Sequence, residues 1–122
     1  MAVDFDFIVI GGGSTGASIS YYLSGLKGKI LLLEKGGIAG GNTGKSSALI
    51  RTHYSNDLIA SMAKYSYGVI SNFDSVGFSG FHKTGMIFPF SRSEEELARK
   101  NAAILRDLGL EEEEMPPKEI EK

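Results

Sequence analysis

Residues 7–23 read FIVIGGGSTGASISYYL, an apolar run that ends in three consecutive glycines with a fourth glycine three positions on. No other stretch constrains the fold as strongly. Glycine clusters where backbone must turn tightly or approach a ligand closely. Phe5–Ile10 reads as a short buried strand. Ser14 to about Leu26 reads as a helix whose Ile19, Tyr22, Leu23 and Leu26 fall at i, i+3, i+4 and i+7. Gly25 and Gly28 stand where glycines end helices. Lys29–Glu34 (KILLLE) reads as a second strand, apolar almost throughout, as expected for a parallel strand covered on both faces. The predicted fold class is therefore α/β, a Rossmann-like β-α-β unit with a parallel sheet.

Gly11, Gly13 and Gly16 form G-x-G-x-x-G. A strand before it, a helix after it and an acidic residue at the end of the next strand, Glu34, supply the context that gives this spacing meaning. Gly11 permits the tight turn, Gly13 lets backbone approach a pyrophosphate, and Gly16 lets helix and sheet pack closely. The helix start offers N–H groups and a positive dipole end to the phosphates. Glu34 would accept hydrogen bonds from an adenosine ribose and disfavour a 2′-phosphate by charge. A rival motif, Ala39–Ser46 (AGGNTGKS), resembles a P-loop with alanine for its first glycine. It lacks a strand running directly into it, so it is read as a glycine-rich loop. On these residues FAD and NAD both stay open.

Beyond residue 54 a helix is expected to start near Ser55, with the stripe Leu58, Met62, Tyr65, Val69 and Phe73 read as core. Residues 78–90 (FSGFHKTGMIFPF) read as a strand, at an edge or bulged at Pro89. Ser93 with Glu96 matches a capping box, opening a helix with Leu97, Asn101, Ile104, Leu105 and Leu108 that ends at Gly109. Glu111–Glu114 reads as a solvated charged run, before the Pro116–Pro117 turn. The expected domains are 1–54, the dinucleotide-binding unit with its second glycine loop, and 55–122, a helix-strand-helix excursion.

Several function classes are excluded by composition. A net charge of −2 gives no basic surface for nucleic acid, and the absence of cysteine removes disulfides, thiolate metal sites and a cysteine nucleophile. It also suits a reducing cytoplasm. No apolar run approaches the roughly 20 residues of a membrane span, and the acidic start 1-MAVDFD-6 does not match a signal peptide. His53 and His82 have no ligand-spaced partners, so no metal site is expected. Ser46 and Ser47 lack a paired base, which excludes a serine nucleophile.

The string 40-GGNTGKSSALIRTHY-54 resembles the corresponding segment of sarcosine oxidase beta subunits, FAD enzymes of the glycine oxidase and D-amino acid oxidase superfamily. Dye-linked proline dehydrogenase beta subunits are similar too, and the likeness extends through 83-KTGMIF-88 to 117-PKEI-120. The resemblance implies FAD as cofactor. It places Gly11, Gly12, Gly13, Ser14 and Gly16 on the pyrophosphate, Glu34 and Lys35 on the adenosine, and Asn42, Thr43 and Gly44 around the pyrophosphate. Ser46 and Ser47 would lie toward the isoalloxazine ring, Arg51 would bind a substrate carboxylate, and Tyr54 would lie near the substrate entrance. Lys45 stands about where some relatives carry a flavin-linking histidine, which argues against that linkage. No catalytic residue is identified.

The implied reaction removes a hydride equivalent from a secondary amine or amino acid to flavin N5, followed by imine hydrolysis. Family members are much longer, so this chain is expected to need a C-terminal half or a partner subunit, and to retain FAD weakly and turn over nothing alone. An NAD-binding module and a non-catalytic subunit that keeps the fold are the alternatives.

Overall fold

The computed structural model describes residues 4–75, 77 and 79–120. The chain divides into two compact units, 1–49 and 50–122.

In the first unit, β1 (Phe7–Ile10), α1 (Ser14–Ser24) and β2 (Ile30–Leu33) follow one another. The strands pair in parallel, Phe7 opposite Ile30 through Ile10 opposite Leu33. The Gly11 N–H extends the ladder by donating to the Leu33 carbonyl at 2.7 Å. Asp6 closes the other end, its Oδ2 accepting from the Lys29 N–H at 2.7 Å. The β-α-β unit is thus the one expected, with each element a residue or two shorter because its predicted ends carry the turns. Val9 is buried in the middle of β1, whereas Ile10 and Leu33 are exposed. Of the stripe expected on α1, Leu23 is half-buried and Ile19, Tyr22 and Leu26 are exposed. The second glycine loop contains a single 3-10 turn, Thr43–Lys45.

In the second unit, α2 (Asp57–Ser71) packs against α3 (Glu95–Asp107), and a four-residue helix, α4 (Pro117–Ile120), follows. Four details differ from the sequence expectations. The N-cap of α2 is Asn56, not Ser55: its side-chain oxygen accepts from the Ile59 N–H at 3.0 Å. The capping box before α3 is Ser91 with Glu94, not Ser93 with Glu96, because a 3-10 turn, Arg92–Glu94, precedes the helix.

The buried side of α2 also departs from the large apolar stripe over its first half, although Val69, and Phe73 just past the helix, are half-buried. Leu58, Met62 and Tyr65 are 66%, 58% and 64% exposed, while Ala60 is fully buried and Ala63, Tyr67 and Ile70 are half-buried. Those faces lie two residues apart, more than half a helical turn. The small residues allow close approach, and Tyr67 meets Phe81 edge-on at 5.5 Å.

Finally, the strand expected at 78–90 does not form in the described residues 79–90, which run without ladder pairing; Phe78 lies outside them. A strand needs a hydrogen-bonded neighbour, and alternation in sequence does not supply one.

The C-terminus of α3 is as expected: Gly109 adopts φ +67, its N–H donates to Arg106, and the Leu110 N–H donates to Leu105. This is a Schellman motif, which needs a left-handed residue at that position. Among the described residues, no helix is long and apolar enough to cross a membrane.

Candidate functional site

The glycine turn and the second glycine loop build one cleft in the first unit. It has a volume of about 340 Å³ and is lined by Gly11, Gly13, Ser14, Thr15 and Gly16, by Asn42 and Thr43, and by the apolar Val9, Ile10 and Ile19. Local backbone chemistry explains the shape. Gly11 turns off β1 at φ +104, a conformation that side chains disfavour. At Gly16 a Cβ would stand 1.9 Å from the Gly11 carbonyl oxygen, so only glycine lets α1 start this close to β1. At Gly13 a Cβ would come within 3.1 Å of the Thr43 Oγ1.

The two loops are fastened to each other mainly by backbone groups. The Ser14 N–H donates to Thr43 Oγ1 at 3.0 Å. The Ala39 N–H donates to the Gly12 carbonyl at 2.9 Å, and the Ala39 carbonyl accepts from the Gly44 N–H at 2.8 Å. Ala39 takes a left-handed φ of 58° to make both bonds. Ile38 lies over Gly12, where its Cδ1 is 2.7 Å from the point a Cβ would occupy. Neither Ile38 nor Ala39 was expected from the sequence. The signals were slight, an apolar residue and the alanine that replaced the first P-loop glycine. The P-loop itself is absent: β2 ends at Leu33, and Ser46 is extended where a helix would have to open.

Glu34 is the acidic member of the site. Its Oε2 accepts from the Gly12 N–H at 2.7 Å and its Oε1 from the Gly36 N–H at 2.8 Å. These backbone donors, Gly12 first, hold its carboxyl below the ordinary glutamate range. It is therefore ionised at neutral pH. Gly12 is buried and faces Glu34 and Ile38, away from the residues that line the cleft. Among the described residues no acceptor takes the N–H of Thr15 or Gly16, two of the orphan donors of a helix start. Free N–H groups, the helix dipole and the glycines that keep Cβ atoms off the turn together suit an anionic oxygen, so the cleft fits a pyrophosphate.

Lys35, Ser46 and Ser47 are not among the residues that line the cleft. Lys35 is exposed. The Ser46 Oγ accepts from the Ala48 N–H at 3.1 Å, in a turn where Ala48 has φ 55°, and Ser47 is exposed. Arg51 and Tyr54 belong to the second unit and pair there: the guanidinium carbon lies 4.7 Å from the centre of the Tyr54 ring. Between them in sequence, His53 stacks on Phe88 at 4.3 Å.

The sequence profile of the FAD dependent oxidoreductase family matches residues 6–122. A 55-residue stretch is 40% identical to sarcosine oxidase subunit beta of Rhodobacter capsulatus, covering 43% of this chain and 13% of that protein. Stretches of 52 residues are 38% identical to the subunits of the same name from Arthrobacter sp and Rhizobium meliloti, covering 41% of this chain and 13% and 12% of theirs. The chain thus aligns with only a small fraction of the length of these relatives. No solved structure matches it at comparable significance. A parallel β-α-β unit with the dinucleotide glycine spacing, together with a family match along almost the whole sequence, identifies the chain as a member of the FAD dependent oxidoreductase family.

Proposed function

We propose that this chain provides the ADP-binding part of the FAD site in an enzyme that oxidises a secondary amine or amino acid of the sarcosine, glycine or proline kind. The observation that carries the reading is the cleft at the start of α1, with its glycine turn and the N–H groups of Thr15 and Gly16, unpaired among the described residues. In this reading Gly11, Gly13, Ser14 and Gly16, with Asn42, Thr43 and Gly44, surround the pyrophosphate, and Glu34 and Lys35 serve the adenosine. Ser46 and Ser47 lie toward the ring. Bound FAD supplies the hydride acceptor; the protein supplies orientation and electrostatics.

Arg51 would hold the substrate carboxylate. A guanidinium presents two parallel N–H groups to a carboxylate, and the Tyr54 ring beneath Arg51 restrains it by cation–π attraction. The names of the relatives support the amine substrate: they act on sarcosine and are subunits. By the same reasoning this chain works with a complement, either further polypeptide or a partner subunit.

Calorimetric titration of the 122-residue chain with FAD and with NAD tests the reading. Weak FAD binding without turnover is expected. Binding of NAD alone would sink it, and a purified chain that holds stoichiometric flavin and oxidises sarcosine or proline would remove the need for a complement.

A further inference from the structure

Three adjacent glycines have more backbone freedom than any other tripeptide. A turn built from them needs something outside itself to hold it in the form that presents donors to a ligand. In this molecule the Gly12 peptide is held on both sides. Its N–H is taken by Glu34 Oε2 and its carbonyl by the Ala39 N–H, and the residue is buried. The neighbours Gly11, Gly13 and Ser14 line the cleft, and Gly12 does not. The carboxylate that fixes Gly12 also takes the Gly36 N–H, so one side chain fastens the start of the second glycine loop to the phosphate turn.

We propose that Glu34 is a positioning residue for pyrophosphate binding: by anchoring the Gly12 peptide it aims the N–H groups at the start of α1 into the cleft. This role is separate from any hydrogen bond to a ribose, and it rests on the reading of the cleft as the pyrophosphate site.

Electrostatics makes the role testable by its sign. A carboxylate near an anionic ligand repels it. Removing the charge alone therefore strengthens pyrophosphate binding. Loss of a charge-assisted hydrogen bond that holds the turn weakens it. Inorganic pyrophosphate is the right probe because it has no ribose.

The experiment uses the isotope-labelled 122-residue chain and follows the Gly12, Thr15 and Gly16 amide signals by NMR. In the ligand-free protein the Gly12 amide proton should move with the titration of the Glu34 carboxylate. Addition of pyrophosphate should shift Thr15 and Gly16, and Glu34→Gln should weaken that binding about tenfold, the scale of one charge-assisted bond. Pyrophosphate affinity unchanged or increased in Glu34→Gln, with ADP affinity reduced, would show that Glu34 acts on the ribose alone and overturns the proposal. A Gly12 amide that ignores the Glu34 titration overturns it even if the variant does not fold. If pyrophosphate shifts neither Thr15 nor Gly16 while Gly12 still follows Glu34, the reading of the cleft fails and the positioning role falls with it.

Discussion

The two units are held together by different means. In the first, the organising bonds start from backbone: Gly12 and Gly36 to Glu34, Ser14 to Thr43, Ala39 to Gly12 and Gly44 to Ala39. In the second, side chains dominate. Tyr67 meets Phe81, Lys64 caps the Leu108 carbonyl at the end of α3, and Lys83, Arg99 and Arg106 pair with Glu111, Glu114 and Glu112. Neither unit has a large core: among the described residues the buried apolar side chains are Val9 in the first and Ala60 and Leu105 in the second. The contrast teaches that backbone geometry makes the first unit intolerant at single positions, while the second spreads its stability over many weak contacts.

The largest effect is therefore expected at Gly16. In Gly16→Ala the new Cβ meets a backbone carbonyl at 1.9 Å, and the strand-helix junction has to open to admit it. A loss of about 3 kcal/mol or more in denaturant unfolding is expected, with loss of FAD binding by calorimetry. A loss below about 1 kcal/mol would show that the junction yields, and the contrast between the units would weaken.

Next is Leu105→Ala, in the second unit. Leu105 is 5% exposed on α3. The expected cost is about 2 kcal/mol, the low end for a buried leucine, because among the described residues of this unit only the small Ala60 is buried with it. Gly109→Ala comes third, at about 1 kcal/mol, the cost of a Cβ at φ +67. It is the place where the second unit shares the backbone strictness of the first. A similar loss is expected for Asn56→Ala, which leaves the Ile59 N–H without its cap.

The same division explains what could be read from the sequence. The glycine turn and the Gly109 terminus were legible because each follows from where a backbone can turn. The first half of the α2 face was not legible: Leu58, Met62 and Tyr65 repeat at helical spacing, yet Ala60 is the residue that is fully buried. Periodicity gives a stripe, and only the tertiary partner decides which stripe is covered. The caps shifted for a related reason. Ser55 and Asn56 are both competent, as are Ser91 and Ser93, and the choice depends on the first helical hydrogen bond. In the cleft, the turn itself was readable, but Ile38 and Ala39 were not, since nothing in a sequence announces that a residue 27 positions on will grip Gly12. The strand expected at 78–90 lacked a partner strand in its described residues, 79–90.

Acid should separate the units further. Glu34 is held below the ordinary glutamate range by backbone donors, Gly12 first, and Glu94 by the Ser91 hydroxyl and N–H. A depressed folded value means the stabilisation is complete above the unfolded value, about 4.3, and is lost as pH falls through the folded one. Lys83 runs the other way. Its hydrogen bond to Glu111 raises it, so that contribution is present at neutral pH and lost only in strong alkali. Glu34→Gln should flatten the acid limb of stability against pH, and Ser91→Ala should flatten it less, because the Ser91 N–H still donates to Glu94. Equal flattening would mean that backbone donors confer no special advantage.

The smallest effect, and the sharpest check on the contrast, is expected at Arg99. Its guanidinium lies 3.0 Å from Glu95, one turn earlier on α3, and 3.3 Å from Glu114. Both pairs face solvent, where Coulomb attraction is weak and side-chain ordering offsets part of it. Arg99→Ala should cost at most about 0.5 kcal/mol in low salt. In 1 M salt, where charges are screened beyond about 3 Å, the difference from the parent should vanish. Both numbers come from thermal or denaturant unfolding at two ionic strengths. A loss of about 1 kcal/mol or more that survives the salt would place Arg99 among directed, structurally required bonds. The second unit would then depend on single positions as the first does at Gly16, and the division between a backbone-built unit and a side-chain-built one would no longer hold.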